Sequence, residues 1–184
     1  MNTIRIVNHK KGDMAKQLQL DTMQWCIKAV ARDTYRENLK HLYIDKDFIA
    51  GCDGHRLHIA FNDWDYEPGL YELLTVKANQ ILLAKSETLS LGDYPSIWRV
   101  IPAQCKNGIP SFFCNMDKKQ ELNNKSSLAY HVYLSTRHCY NLKYLDDIRM
   151  EGILKFELGE DIPQMLLIAS ENHDRLAMIM PLQQ

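Results

Sequence analysis

Hydrophobic and polar residues along the first part of the chain predict one strand, one helix and a set of short strands. Residues 3–9, TIRIVNH, alternate β-branched and polar side chains, as a half-buried strand does. Residues 20–33, LDTMQWCIKAVARD, place apolar side chains three or four positions apart, which predicts an amphipathic helix with Asp21 as its N-cap. Three short apolar runs follow, NLKHLYI, DFIAGC and RLHIAF, and the polar breaks between them are typical of a meander of antiparallel strands.

The rest of the chain carries a similar pattern. LYELLTV predicts a strand, and residues 77–86, KANQILLAKS, a short helix. The prolines of residues 91–102, LGDYPSIWRVIP, favour an extended connector, and the polar residues 118–127 predict a loop. Residues 128–138, LAYHVYLSTRH, then predict a strand, YNLKYLDDIR a helix capped by Asn141, and GILKFEL, QMLLIAS and RLAMIMPL three closing strands.

Both ends of the chain thus have the order strand, helix, three strands. This pattern predicts the α+β class, with antiparallel sheets, helices on one face and two strand-helix-three-strand halves. Because domains usually contain about 100–200 residues, we expect residues 1–184 to form one compact unit. Its first half would cover about 1–90, a connector about 91–127 and the second half about 128–184.

Composition narrows the class of protein. Hydrophobic residues make up 46% of the chain and charged residues 24%, as in a globular protein. The net charge of −1 and the pI near 6.6 give no field that would draw the whole molecule to nucleic acid or an anionic membrane. The five cysteines form no C-x-x-C pair, which indicates reduced thiols. No apolar stretch is long enough to span a membrane, so we expect a soluble, cytoplasmic protein with no membrane partner.

The segment DGHRL, residues 53–57, brings chemistry-bearing side chains together. A metal cluster would use Cys52, Asp53, His55 and His58, but side chains alternate along a strand, so the two histidines point in opposite directions. An enzyme could instead use Asp53 and His55 as an acid–base pair. No nucleophile motif or glycine-rich phosphate loop occurs, and we expect no enzyme, no cofactor and no metal.

A simple turn is the alternative interpretation of the same segment. Asp53 would then cap backbone amides and Gly54 would take a positive φ, while His55 and Arg56 would be solvated. In that case the segment would carry no function of its own.

Four segments resemble the bacterial sliding clamp, the β subunit of DNA polymerase III. IAGCDGHRLHIA is similar to the family's ATDGHRLA segment in the middle domain, and YPSIWRVIP, residues 94–102, to its FPDYRRVLP connector between the middle and last domains. YNLKYLDDI and the closing LAMIMPLQ are similar to the last helix and the C-terminal VMP strand of the last domain. The four matches occur in family order and cover about two thirds of the chain.

The resemblance implies a clamp-like fold and a non-catalytic role as a processivity factor in DNA replication. In sliding clamps the DGHRL segment, the proline connector and the VMP tail form one hydrophobic pocket, which binds short peptides of polymerases and loading proteins. Carried over residue by residue, the pocket is Leu39, Cys52, Gly54, His55, Arg56, Leu57, Pro95, Arg99, Val100, Met178, Met180, Pro181 and Leu182.

The residue types suit a peptide pocket. Cys52 stands where the family has threonine, and Leu182 where a second methionine is common, and both keep the lining small or apolar. Methionine is flexible and polarisable, while Arg99 and His55 can orient a peptide backbone or a glutamine amide. The alternative for Met178 and Met180 is core packing in an edge strand, and Trp98 could be core or pocket wall.

The resemblance also raises the question of DNA binding. The chain is about half as long as a clamp subunit, whose ring surrounds DNA with helices that carry basic residues. The predicted helical regions, residues 20–37, 77–87 and 140–151, carry seven basic and seven acidic residues, which does not favour binding to the DNA backbone. The candidate DNA-facing residues are Lys28, Arg32, Lys77, Lys143 and Arg149.

The expected partners follow from the same resemblance. We expect DNA polymerase or other replication and repair proteins, bound through short peptides, with duplex DNA as a further candidate partner of a homo-oligomer. The alternative is a clamp-like adaptor or decoy that binds replication proteins without encircling DNA.

Overall fold

The structure is a computed structural model, and it describes residues 2–7, 13–61, 63–100, 111–115, 125–148, 153–158, 165–170 and 174–182. The chain divides into two compact units, Met1–Pro95 (unit 1) and Ser96–Gln184 (unit 2). The expectation that residues 1–184 form a single compact unit stays a prediction. Within the described residues, no helix has both the length and the apolar character needed to cross a membrane.

Unit 1 is an antiparallel sheet with a helix packed against it. Along the chain its elements are β1 (Thr3–Val7), α1 (Met14–Ile27), a 3-10 helix (Glu37–Lys40), β2 (His41–Ile44), β3 (Phe48–Cys52), β4 (Arg56–Phe61), β5 (Gly69–Lys77), β6 (Gln80–Lys85) and a second 3-10 helix (Leu91–Asp93). The strands lie in the order β1-β6-β5-β2-β3-β4, and all pairs are antiparallel. The predicted first strand, the three-strand meander and the strand at LYELLTV are confirmed.

Helix α1 packs against the sheet through residues that are fully buried, among them Leu20, Met23 and Cys26. The approach is closest at Gly51 of β3, where a Cβ atom would lie 2.1 Å from the main-chain oxygen of Cys26. Only a residue without a side chain allows the helix backbone to come this near the strand.

The predicted bounds of this helix, residues 20–33 with Asp21 as the N-cap, are wrong. The helix begins at Met14, and the carboxylate of Asp13 caps it. Its first turns show no apolar stripe, since Met14 is 83% exposed. After the helix ends, residues 29–31 are buried in a turn, so their apolar character resembles a continuation of the helix in the sequence.

The helix predicted over residues 77–86 is also wrong, because β6 occupies this stretch. β6 pairs with β5 on one side and with β1 on the other, so it lies inside the sheet. Its residues Ile81 and Leu83 are fully buried. A short apolar run fits a buried strand as well as a helix, and here pairing on both sides decides for the strand.

Unit 2 contains α2 (Ile97–Val100), β7 (Ser111–Asn115), α3 (Lys125–Thr136), α4 (Leu142–Asp147), β8 (Ile153–Leu158), β9 (Leu166–Ser170) and β10 (Arg175–Ile179). Its four described strands lie in the order β10-β9-β8-β7, all antiparallel. The three closing strands are confirmed, as is α4, where Asn141 Oδ1 accepts the N–H of Lys143 at 2.9 Å.

The strand predicted over residues 128–138 is wrong, because α3 covers most of it. Leu128, Val132 and Thr136 are buried and four residues apart, which is the spacing of one helix face. The aromatic residues between them and the β-branched Val132 and Thr136 themselves favour a strand by propensity alone.

The middle of the chain also differs from the prediction. The extended connector predicted over residues 91–102 contains a 3-10 helix and α2, and its last two residues lie outside the described part. Strand β7 was not predicted and falls within the predicted connector region. Of the predicted loop, residues 118–127, the last three begin α3 and the others lie outside the described part.

Candidate functional site

The turn between β3 and β4 is built by the side chain of Asp53. Its Oδ1 accepts the main-chain N–H groups of His55 and Arg56, both at 2.9 Å. Gly54 has a φ of +90°, a conformation that glycine adopts without strain. Asp53 and Gly54 therefore act as expected for a simple turn.

The simple-turn interpretation expects Arg56 to be solvated, but the residue is buried. Only 7% of the residue is exposed, and its Nε lies 3.0 Å from Asp53 Oδ2. Its Nη2 donates a hydrogen bond to the main-chain oxygen of Lys28, the C-cap of α1. A cation at this end of a helix also interacts favourably with the helix dipole. The guanidinium thus ties the turn to α1.

The metal and acid–base interpretations gain no support from this geometry. His55 is exposed, whereas His58 is fully buried, with Nδ1 2.8 Å from the Trp25 main-chain oxygen and its ring stacked on Trp25 at 4.4 Å. Asp53 directs both oxygens at main-chain N–H groups and at Arg56. Within the described residues, no three His, Cys, Asp or Glu side chains are grouped so as to hold a metal ion.

An apolar floor lies beside the turn. Cys52 and Leu57 are cross-strand partners of β3 and β4, so their side chains share one face of the sheet. Leu39 reaches the turn, with Cδ1 3.9 Å from the point that a Cβ on Gly54 would occupy. Leu39 is 1% exposed and Leu57 4% exposed. Leu39 and Leu57 thus form the packed apolar base of the turn, and of the three residues only Cys52 is partly exposed.

The thiol of Cys52 is the polar atom of this floor. Its Sγ accepts the Gly54 N–H at 3.3 Å, and the residue is half-buried. Burial raises the pKa of the Cys52 thiol, which therefore stays neutral.

Tyr94 belongs to the same region and was missed in the sequence. It is buried, its ring packs 5.1 Å from that of Tyr43, and burial together with the nearby Cys52 raises the pKa of Tyr94 well above its ordinary value. It directly precedes Pro95, which is exposed. The feature of the sequence that could have identified Tyr94 is its position next to Pro95, a proposed pocket residue.

Arg36 was also missed. Its Nη1 lies 4.0 Å from the position that a Cβ on Gly54 would occupy, and its guanidinium lies 5.6 Å from the ring centre of Tyr35, which is 89% exposed. The surrounding TYREN segment is polar and has no periodicity, so the sequence gives no sign that it reaches the turn.

The tail of unit 2 holds the other proposed pocket residues. Met178 is 4% exposed and belongs to the core of the unit, as the packing alternative predicted. Met180 is 37% exposed, Leu182 is 52% exposed and Pro181 is half-buried. The N–H of Leu182 donates to the main-chain oxygen of Cys139 at 2.9 Å, which fixes the tail to the loop between α3 and α4.

Arg99 lies in α2 and is exposed, while the side chains of Trp98 and Val100 lie outside the described part. Unit 1 thus brings together Leu39, Cys52 and residues 54–57 around one turn. Unit 2 holds residues 178–182 in one segment. The pocket that would contain both groups stays a prediction.

The candidate DNA-facing residues do not share one kind of element. Lys28 caps α1, Lys77 ends β5 at a hairpin, and Lys143 lies in α4. Arg32 lines an open cleft of about 670 Å³ in unit 1, together with acidic residues such as Glu37 and Glu72. Arg149 lies outside the described residues.

The antiparallel sheets and helices of the two units place the chain in the α+β class. Solved structures of the bacterial sliding clamp, the DNA polymerase III β subunit, match this chain. The β subunit of Borrelia burgdorferi, in complex with a natural product, gives a TM-score of 0.62 at 13% identity over 100% of this chain and 63% of its own. The Pseudomonas aeruginosa sliding clamp bound to griselimycin gives a TM-score of 0.59 at 15% identity, over 100% of this chain and 66% of its own. The sliding clamp of Bacillus subtilis gives a TM-score of 0.60 at 12% identity, over 100% of this chain and 64% of its own.

The chain therefore has the α+β fold of the bacterial sliding clamps, as the sequence predicted. It spans 63% to 66% of the length of these three clamps. No family model and no curated protein sequence matches it.

Proposed function

We propose that this chain is a non-catalytic, clamp-like processivity factor of DNA replication that holds short peptides of DNA polymerase and other replication or repair proteins. The pocket would join the turn of unit 1 to the tail of unit 2. The observation that carries the proposal is the DGHRL turn, which holds Gly54 and His55 beside the apolar floor of Leu39, Cys52 and Leu57. The clamp fold over the full chain supports it.

The exposure of the tail supports a binding role for its last residues. Met180 and Leu182 are too exposed to be core residues, and the Leu182–Cys139 hydrogen bond holds them in place. A peptide that buries two large apolar side chains gains about 1.5–3 kcal/mol from each. Before polar contacts and ordering, this gross gain of about 3–6 kcal/mol corresponds to Kd values from about millimolar down to tens of micromolar.

Titration of a labelled peptide tests the proposal. The peptide contains glutamine followed by leucine and phenylalanine, and fluorescence polarisation gives its Kd for the wild type and for Met180→Asp. A carboxylate buried without a partner in an apolar site should weaken binding by several kcal/mol. Met14→Asp is the matched control, because Met14 is 83% exposed at the start of α1. Equal affinities for wild type and Met180→Asp, with both folded by circular dichroism, would overturn the proposal.

An adaptor that binds replication proteins without encircling DNA is the second candidate. The helices of the structure favour it, because α1, α2, α3 and α4 together carry four basic and three acidic residues. Binding to the DNA backbone needs a clear excess of clustered cations. A homo-oligomer in light scattering that is retained on circular but not linear duplex DNA would support the processivity factor. A monomer that binds the peptide but is not retained would support the adaptor.

A further inference from the structure

Helix α3 ends in a conformation that normally belongs to glycine. Arg137, directly after the helix, has a φ of 61°, and its N–H donates to the Tyr133 main-chain oxygen at 2.7 Å. The turn is fixed by Thr136, whose Oγ1 accepts the His138 N–H at 3.2 Å. A residue with a Cβ in this left-handed conformation costs roughly 1–2 kcal/mol relative to glycine. A strained residue of this kind is a reason to look for a function of its side chain.

The strained turn lies beside the tail described above. Cys139, two residues after Arg137, accepts the N–H of Leu182, so the turn lies next to the main chain of Leu182, whose side chain is exposed. Arg137 is exposed and takes part in none of the ion pairs found among the described residues. Among the described residues Arg137 thus has no carboxylate partner, and its turn is hydrogen-bonded to the tail through Cys139.

We infer that Arg137 determines specificity by binding the carboxylate of an acidic residue that flanks the apolar side chains of the bound peptide. This inference rests on the function proposed above and names the chemical class of its partner: an apolar peptide segment with an adjacent glutamate or aspartate. The planar guanidinium offers paired donors that match a carboxylate. At the rim of an interface such a charge sets selectivity and salt dependence more than total affinity.

A double-mutant cycle tests the inference with Arg137→Gly as the protein variant. Glycine adopts the observed backbone conformation without strain, so this variant should fold and be at least as stable as the wild type. The probes are two labelled peptides that carry the glutamine, leucine and phenylalanine residues with a glutamate immediately before or after them. Each has a counterpart in which glutamine replaces that glutamate. Arg5→Gln is the control, since it removes an exposed cation from β1 in unit 1.

We expect the wild type to prefer at least one glutamate peptide to its counterpart by about two- to five-fold, the range of an exposed ion pair. Arg137→Gly should abolish this preference, Arg137→Lys should keep part of it, and Arg5→Gln should leave it unchanged. Higher salt should reduce the preference. If the wild type binds the peptides with no preference, or if Arg137→Gly keeps the preference, the inference fails while the proposed function stands. If the wild type binds none of the peptides, the proposed function fails and the inference with it.

Discussion

Gly51→Ala tests the packing of α1 against the sheet of unit 1. The added methyl group would lie 2.1 Å from the Cys26 main-chain oxygen and 3.1 Å from Val30 Cγ2. The first contact is with helix backbone, which cannot move aside as a flexible side chain can. Overpacking of a core typically destabilises by about 1–3 kcal/mol, and a clash with backbone belongs at the upper end. With an m-value of about 2 kcal/mol/M, 3 kcal/mol lowers the urea midpoint by about 1.5 M.

Urea unfolding of the full chain, followed by tryptophan fluorescence, measures this change. Trp25 lies in α1 and is buried, so its emission reports on the helix that the substitution would displace. Gly92→Ala is the matched control, because its methyl group would meet its nearest atom, Ser90 Oγ, at an ordinary 3.6 Å. The control should change the midpoint little. If the two variants unfold at the same urea concentration, α1 does not pack on Gly51 as described.

Two further predictions concern single side chains of unit 1. Asp53→Ala leaves the buried Arg56 guanidinium without its carboxylate. We expect urea unfolding to show a loss of about 3 kcal/mol in the free energy of unfolding. A loss below about 1 kcal/mol would show that the pair is not buried. Burial and the neighbouring Asp45 raise the pKa of Tyr43 to about 12. Between pH 10 and 12 the folded chain therefore keeps a proton that the unfolded chain releases, so stability falls as the pH rises. Tyr43→Phe should lose less stability over this window, and an unchanged alkaline slope would contradict the assigned cause.

The sequence best predicts the helices and strands for which the local residue pattern and the tertiary environment favour the same structure. Strands such as β1, β9 and β10 show their character locally, and Asn141 marks the start of α4 by its side chain. Two of the errors, at β6 and α3, fall where two periods fit the same residues. Leu128, Val132 and Thr136 mark one face of a helix, yet the aromatic residues between them have strand propensity.

The residues of the candidate site likewise fall into two groups, those placed by local interactions and those placed by tertiary packing. Asp53 and Gly54 form the turn by interactions within four residues, so the sequence predicts their roles. The burial of Arg56 depends on where α1 ends, because its hydrogen bond goes to the main-chain oxygen of Lys28, which is 28 residues away. The approach of Arg36 to Gly54 is likewise set by tertiary packing and has no local signature.

The turn also explains why charged residues stand inside a hairpin. Asp53 and Arg56 satisfy each other and the backbone, so their charges hold the turn and are not offered to a ligand. What remains open is the bare backbone of Gly54, the exposed ring of His55 and the partly buried sulfur of Cys52. In the proposed function, an extended peptide would approach the bare backbone of Gly54 closely. This open surface is the part of the turn on which the proposed peptide binding rests.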